Sequence, residues 1–384
     1  MLFTIFTLCL GLVIYHLFLF PVILLVAGAR TKKKNYSLPE TLKDYPTIEI
    51  FIASRNEEAC IAEKIKNSKL LDYPKEKLKI TVLANGCSDN TCHIVKDFSE
   101  QGIGLLEYDE IGKTESQNRA VETSKADIIV FSDANTLYKE NALLELIKPF
   151  TDEKVGAVSG RHLYLPTDES AGSTENTYWN VIEVNLKKAE AKTGGLIGAN
   201  GSIYAIRREL YVKLPASVIS DFWEPLMIAF NGYRTEYAPD AISFEHAETK
   251  HLDEYKRKER IVQRSAYSLL QFPWTLNPLN NPRLSWLIFS HKVLRWLTPV
   301  LLIIALISSF IRLVTYRGNL IDGLYFAGST IIIFIGLIGH GLIKEKKIPV
   351  VSHIYYILLM FKAAILGVFK AVTKGEFTVW DHNR

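Results

Sequence analysis

"VFSDANTLYKENAL", residues 130–143, decides how the rest of this chain is read. It continues the apolar run "DIIVF" that opens at Asp127, so a buried strand is predicted to end at Asp133. A carboxylate, Asp133, is then followed two residues later by an amide, Asn135, and at once by a polar turn. Residues i and i+2 of an extended segment point the same way. Two such oxygens suit ribose hydroxyls and a hard divalent cation, and a cation held there bridges a diphosphate. The plainer reading is an Asp-Ala-Asn turn that caps the next helix.

The surrounding pattern sets the fold. "TIEIFIAS", "LKITVLANG" and "VGAVSGRHLYL" read as further strands. "NEEACIAEKIKNSKLL", with Asn56 placed to cap its start, and "DNTCHIVKDFSEQ" and "KENALLELIKPF" have helical spacing. Strands that alternate with helices predict an α/β domain over residues 45–272, with parallel pairing and helices on both faces. In such sheets, ligands bind beyond the carboxyl ends of the strands. Those ends carry "SRNEE", "NGCSDN" and "SDANT". No G-x-G-x-x-G follows the first strand and no G-x-x-x-x-G-K-[ST] occurs, so the ordinary dinucleotide and P-loop sites are excluded.

The 384 residues are 48% hydrophobic with a net charge of +4, enough for one sizeable domain and additional segments. The basic residues cluster in "RTKKK" (30–34), "KRKER" (256–260) and "KEKK" (344–347) rather than over one folded face, which argues against a nucleic-acid partner. The four cysteines show no paired metal spacing and are expected to be reduced thiols. Residues 1–29 are apolar for nearly their whole length and meet "RTKKK", which predicts a membrane helix with its N-terminus outside. Residues 296–311 and 323–343 predict two more spans, with the intervening loop external and "KEKK" cytosolic. The segment 350–372 holds Lys362 near its middle, and Lys362, Lys370 and Lys374 suit one edge of an interfacial helix better than a third span. The C-terminal membrane region is thus placed at 290–374.

Six motifs in order give a resemblance. "IFIASRNEE", "VLANGCSDNT", "GKTESQNRAV", "VFSDANTLY", "GANGSIYAIRRELY" and "SDFWEPLMIAFNGYRTEYAPDAISFEHA" resemble those of the family 2 glycosyltransferases. These are inverting, membrane-associated enzymes of the GT-A fold that use nucleotide sugars. The likeness runs from about residue 45 to the end. It implies a Rossmann-like GT-A domain, a nucleotide-sugar donor, a glycan or lipid-linked acceptor and a divalent cation, Mn²⁺ or Mg²⁺. Two positions depart from the family pattern: Asn85 stands where Asp is usual, and Asn135 where Asp-x-Asp would end.

The resemblance also assigns roles. Asp221 is expected to be the base that takes the acceptor proton, with Glu224 one turn on as a reserve carboxylate and Ser220 where an acidic neighbour is common. Its plainer role is to N-cap the helix that follows. Asp133 and Asn135, with His246, are the expected metal residues, and Asp133 also meets the donor. Glu57 and Asn85 are expected at the base and ribose, while Asp89 either reaches the base or only fixes its turn. Lys113 is expected to meet a carbonyl or phosphate of the donor, and Asn118 to orient that loop. Asn200 and Gly201, in a glycine turn that lets the backbone approach the sugar, and Arg260, facing the pyrophosphate or lipid headgroups, complete the expected donor site.

Processive members such as cellulose and hyaluronan synthases carry Gln-x-x-Arg-Trp after the base. Here Gln263 is followed by "RSAYS", which predicts single-sugar transfer to a lipid-linked or cell-envelope acceptor at the cytosolic leaflet. The competing functions are a catalytically weakened nucleotide-sugar-binding scaffold and a small transporter. Retention of Asp133, Lys113 and Asp221 argues against the first. The few spans, without an inverted repeat, argue against the second.

Overall fold

The computed structural model describes residues 1–32, 34–165, 182–246, 251–315, 317–342 and 349–373. These form two compact units, one from residues 24–249 and one from 1–23 and 250–375.

The first unit is built on an eight-stranded sheet in the order β3-β2-β1-β4-β7-β6-β8-β5. Its strands are β1 (Ile48–Ser54), β2 (Leu78–Asn85), β3 (Ile103–Tyr108), β4 (Ile128–Asp133), β5 (Leu137–Tyr138), β6 (Val155–Leu165), β7 (Ile203–Arg207) and β8 (Arg234–His246). The β3-β2-β1-β4 half is wholly parallel, as the strand–helix alternation predicts. The other half is mixed: β7 runs antiparallel to both β4 and β6, β6 and β8 are parallel, and β5 is antiparallel to β8. The expectation of parallel pairing throughout is therefore corrected. A glycine turn just before β7 sends the chain back into the sheet from the end where β4 leaves it.

Period-two alternation gives the parallel half its two cores. Ile48, Ile50 and Ile52 pack with Ile61 and Ile65 of the helix Ile61–Lys69 on one face. Phe51 and Phe131 pack with Ala120 and Val121 of the helix Lys113–Thr123 on the other. All of these but Val121 are at most 1% exposed, and each isoleucine and phenylalanine contributes on the order of 2 kcal/mol of transfer free energy. The start of the first helix differs from expectation. Its N-cap is Cys60, and Asn56 instead takes a left-handed conformation (φ 54°). There its Oδ1 accepts the Ser88 N–H at 2.8 Å and ties the end of β1 to the end of β2.

In the second unit, the helix Leu2–Ile14 runs alongside Leu294–Val314. Phe6 meets Tyr325 edge-on at 5.4 Å, and Tyr15 shares a 2.8 Å hydrogen bond with Ser290. Among the described residues, four helices are long and apolar enough to cross a membrane: Leu2–Arg30, Pro282–Val314, Leu320–Gly339 and His353–Thr373. The last meets that measure although its lysines suggested an interfacial helix. Lys370 pairs with Glu259, and the Lys362 ammonium lies 5.5 Å from the Tyr255 ring, so both turn towards the helix His251–Gln271. Lys374 lies outside the described residues.

Candidate active site

The carboxyl ends of β1, β2 and β4 meet at one rim of the sheet. β2 ends on Asn85, whose Oδ1 accepts the backbone N–H groups of Ile111 (2.9 Å) and Gly112 (3.2 Å). Gly112 has φ 86°, which favours glycine, and is the N-cap of the helix Lys113–Thr123. Lys113 is thereby aimed over the end of β4, where its ammonium pairs with Asp133 Oδ1 at 2.5 Å. Asn118, on the same helix, is fully buried. Its Nδ2 donates to Leu214 O (2.8 Å) and its Oδ1 accepts from the Tyr211 hydroxyl (2.7 Å), so it fastens the segment that leads to Asp221. Asn85 and Asn118 are both 0% exposed, with no surface to offer a donor. In this structure each side chain holds backbone: Asn85 the turn at Ile111 and Gly112, and Asn118 the segment at Leu214.

Asp221 lies in the first turn of the helix Ser220–Phe230, whose N-cap is Ile219, so Asp221 is not the cap. Its carbonyl accepts the Ala199 N–H at 2.7 Å, and its carboxylate lies against Gly201. A Cβ at Gly201 would overlap Asp221 Oδ2. The pairing of Ser132 with Ile203 sets the ends of β4 and β7 side by side. Asp133 therefore stands next to Ser202 and the turn against which the Asp221 carboxylate lies. Asp133, Lys113, Gly201 and Asp221 thus share one rim. Asn200 spends its side chain within the fold, donating to Gly160 O and accepting from Lys187 at 2.8 Å.

Glu224 is not an accessible reserve base. It is 1% exposed, its Oε2 accepts from the Tyr204 hydroxyl at 2.8 Å, and its Oε1 has no hydrogen-bond partner. Burial pushes its carboxyl up to about 8, with Asp221 adding to the rise. The group is therefore protonated at neutral pH.

At the first two strand ends, Asp89 fixes its turn. Its carboxylate accepts from the Thr91 hydroxyl (2.6 Å), the Thr91 N–H (3.0 Å) and the Glu58 N–H (3.0 Å). Burial works against the charged form, but these bonds outweigh it and hold the carboxyl below the usual carboxylate range. Glu57 is 8% exposed and accepts from the Cys60 thiol at 3.2 Å. Arg260 belongs to the helix His251–Gln271 of the other unit.

Asn135 donates through Nδ2 to Glu245 Oε1 at 2.6 Å, and Glu245 Oε2 lies 3.2 Å from His162 Nε2. Neither Glu245 nor His162 was singled out from the sequence, where attention fell on His246. The signal was the strand itself: adjacent residues of β8 point to opposite faces, so only one of the pair 245–246 reaches Asn135. The side chain of His246 lies outside the described residues. Among the described residues, no group of three His, Cys, Asp or Glu side chains is arranged to hold a metal. Asp133 and Asn135 nonetheless offer hard oxygen donors. A divalent cation held by one carboxylate and completed by diphosphate and water oxygens fits that set.

The family described as "Glycosyltransferase like family 2" matches residues 46–264. The "Probable glycosyltransferase YdaM" of Bacillus subtilis (strain 168) is 27% identical over 287 residues, 68% of this chain and 65% of that protein. The "Beta-monoglucosyldiacylglycerol synthase" of Trichormus variabilis is 25% identical over 175 residues, 43% of this chain and 36% of that protein. The chain thus spans 65% and 36% of the length of these two relatives. Among solved structures, a mannosyltransferase from Pyrobaculum calidifontis, in complex with GDP-Man and Mn²⁺, matches with a TM-score of 0.70. It is 21% identical, over 97% of this chain and all of that one, and shows that the two share a fold.

Proposed function

This chain belongs to glycosyltransferase-like family 2 and is a glycosyltransferase; from that premise we propose that it moves one sugar, with inversion, from a nucleotide sugar to a lipid-linked or cell-envelope glycan acceptor. A UDP-sugar is the first donor to test, because UDP donors are the commonest in the family. The observation that carries the reading is the rim on which Asp221 lies against Gly201, beside the Lys113–Asp133 pair.

The chemistry follows from that rim. The Asp221 carboxylate takes the proton of the acceptor hydroxyl as its oxygen bonds the anomeric carbon. The anomeric C–O bond on the opposite face breaks, and the nucleoside diphosphate leaves with the electron pair. Gly201 leaves room for the base itself, because a side chain there would overlap the Asp221 carboxylate. Lys113 turns from Asp133 to a phosphate oxygen as negative charge develops there. A divalent cation, held by Asp133 and Asn135, would neutralise the diphosphate. Residues 45–272 form the transferase domain in this reading, and 1–29 and 290–374 hold it at the cytosolic face of the membrane. The lipid product named for the Trichormus relative supports an acceptor in or at the membrane.

The test is donor turnover by the detergent-purified chain, offered UDP-, GDP- and dTDP-sugars with membrane lipid extract, with and without Mn²⁺ or Mg²⁺. Asp221→Asn is expected to abolish transfer while nucleotide binding survives. Loss of both would make Asp221 a structural residue and overturn its role as base.

A further inference from the structure

An asparagine amide can turn either end to a ligand: its oxygen accepts and its nitrogen donates. Only the oxygen end holds a cation. At the half-buried Asn135, Glu245 decides between the two. A carboxylate oxygen accepts, so Glu245 Oε1, 2.6 Å from Asn135 Nδ2, takes the nitrogen end. Oδ1, the other branch of the amide, is thereby turned away from Glu245. The sheet sets this contact. Leu137 of β5 pairs with Phe244 of β8, so the residues just before β5 run alongside the end of β8. Glu245 is also held from behind. In the parallel β6–β8 pair, His162 stands opposite Ser243 and Tyr164 opposite Glu245. His162 Nε2 lies 3.2 Å from Glu245 Oε2, and both side chains are 14% exposed. His162 Nδ1 lies 3.0 Å from the Ser202 hydroxyl and 3.1 Å from that of Ser243. With Oε2 against the imidazole, Oε1 is the oxygen that meets Asn135. Ser202 follows Gly201, so the same line of contacts reaches the turn that seats the Asp221 carboxylate.

Resting on the reading of Asp133 and Asn135 as the residues that hold the cation, we propose that Glu245, backed by His162, is a positioning residue that presents the carbonyl oxygen of Asn135 to that cation. Partners behind a metal ligand fix its orientation and are worth roughly 10–100-fold in metal affinity. A hydrogen bond to a charged acceptor is of the stronger class, so the amide is set before the donor arrives. An amide released from Glu245 would spend part of its time with its N–H groups towards the rim, where they repel a cation. The pairing also accounts for an amide where Asp-x-Asp would end. An aspartate at 135 has no N–H for Glu245 and would set two carboxylates against each other. Asn135 and Glu245 are thus matched to one another. Glu245 touches neither donor nor acceptor in this scheme and acts through Asn135.

The test is nucleoside diphosphate binding to the full-length chain in detergent, measured by calorimetry with Mn²⁺ and again with EDTA. UDP is the first probe, with GDP and dTDP run in parallel. The readout is the factor by which Mn²⁺ tightens binding of the nucleotide that the wild type takes. Glu245→Ala is expected to cut that factor by on the order of tenfold and to leave the metal-free affinity unchanged. Glu245→Gln is expected to keep most of it, because its carbonyl oxygen accepts the same N–H. In an Asn135→Ala background, Glu245→Ala should cost nothing further. Thermal melts run alongside, with Glu245→Met as a second variant should Glu245→Ala not fold. The proposal is overturned by an unchanged factor in the folded Ala or Met variant, or by an equal loss with and without Mn²⁺. A loss in Glu245→Gln as large as in Glu245→Ala, or a full further loss without the Asn135 amide, also overturns it. No tightening by Mn²⁺ in the wild type, or a factor that Asn135→Ala leaves unchanged, would instead overturn the cation reading beneath it.

Discussion

Gly201 has no side chain where the Asp221 carboxylate needs the space. Gly201→Ala would push that carboxylate off its position, and misplacing a reacting group by about 1 Å costs on the order of a hundredfold in rate. The expected result is a fall in kcat of that order with nucleotide affinity unchanged. An active Gly201→Ala enzyme would mean that Asp221 works from a different position. Glu224 calls for the opposite kind of change. Its carboxyl is raised from 4.5 to about 8 by burial, so the folded chain keeps a proton that the unfolded chain has lost. Stability from this group is therefore intact below about pH 4.5 and falls as pH rises towards 8, by roughly 1.4 kcal/mol per unit at most. Glu224→Gln is expected to melt above the wild type at pH 8 and to converge with it as pH approaches 4.5. A variant that melts lower at pH 8 would show that Glu224 is stable as an ion.

The segment from Tyr211 to Val218 determines where the helix Ser220–Phe230 starts. Hydrogen bonds pin it to the helix Lys113–Thr123, among them Asn118 to Leu214 O, Tyr211 to Asn118, and the Thr114 hydroxyl to Val218 O at 2.6 Å. Removing a buried side chain that leaves partners unsatisfied costs about 1–3 kcal/mol. Asn118→Ala should lose stability in that range and should lower kcat more than nucleotide affinity, because the base shifts and Lys113 does not. An equal loss of both would place Asn118 at the donor itself. The strands show the same dependence on distant partners. β1, β2, β4 and β6 are legible because their apolar runs are local. β5 is two residues long, and its place depends on β8 more than a hundred positions away. The Asn135–Glu245 contact depends on that pairing, so no spacing rule reveals it. Lys64 is concealed for a related reason: a lysine in an amphipathic pattern reads as an exposed position until the face it shares with Ile61 and Ile65 is known to be buried.

At the scale of the molecule, the charge flanks and the helices agree on where apolar segments begin and end. Arg312 pairs with the fully buried Asp322 at 2.9 Å, and the Arg312 guanidinium lies 4.7 Å from the Phe3 ring. Phe3 and the facing ends of the helices Leu294–Val314 and Leu320–Gly339 therefore sit at the same end of the second unit. Under the proposed orientation that end faces outward. With the four native cysteines replaced, a cysteine at Gly318 is expected to react with a membrane-impermeant maleimide in intact cells. One at Lys32 should react only after permeabilisation. The reverse pattern would invert the topology and move the transferase domain off the cytosolic face.

Composition and local periodicity were enough for the apolar helices, the strand–helix alternation and the strand-end carboxylates and amides, because these depend on neighbours within a few residues. The resemblance to the family rested instead on its motifs, which are short and ordered along the chain. The direction of β7, the burial of Asn85, Asn118, Glu224 and Lys64, and the partnership of Asn135 with Glu245 came only from the folded chain. Each of these depends on which distant segment lies alongside. That is set by packing and hydrogen bonding summed over the whole sheet, which no single stretch of sequence contains.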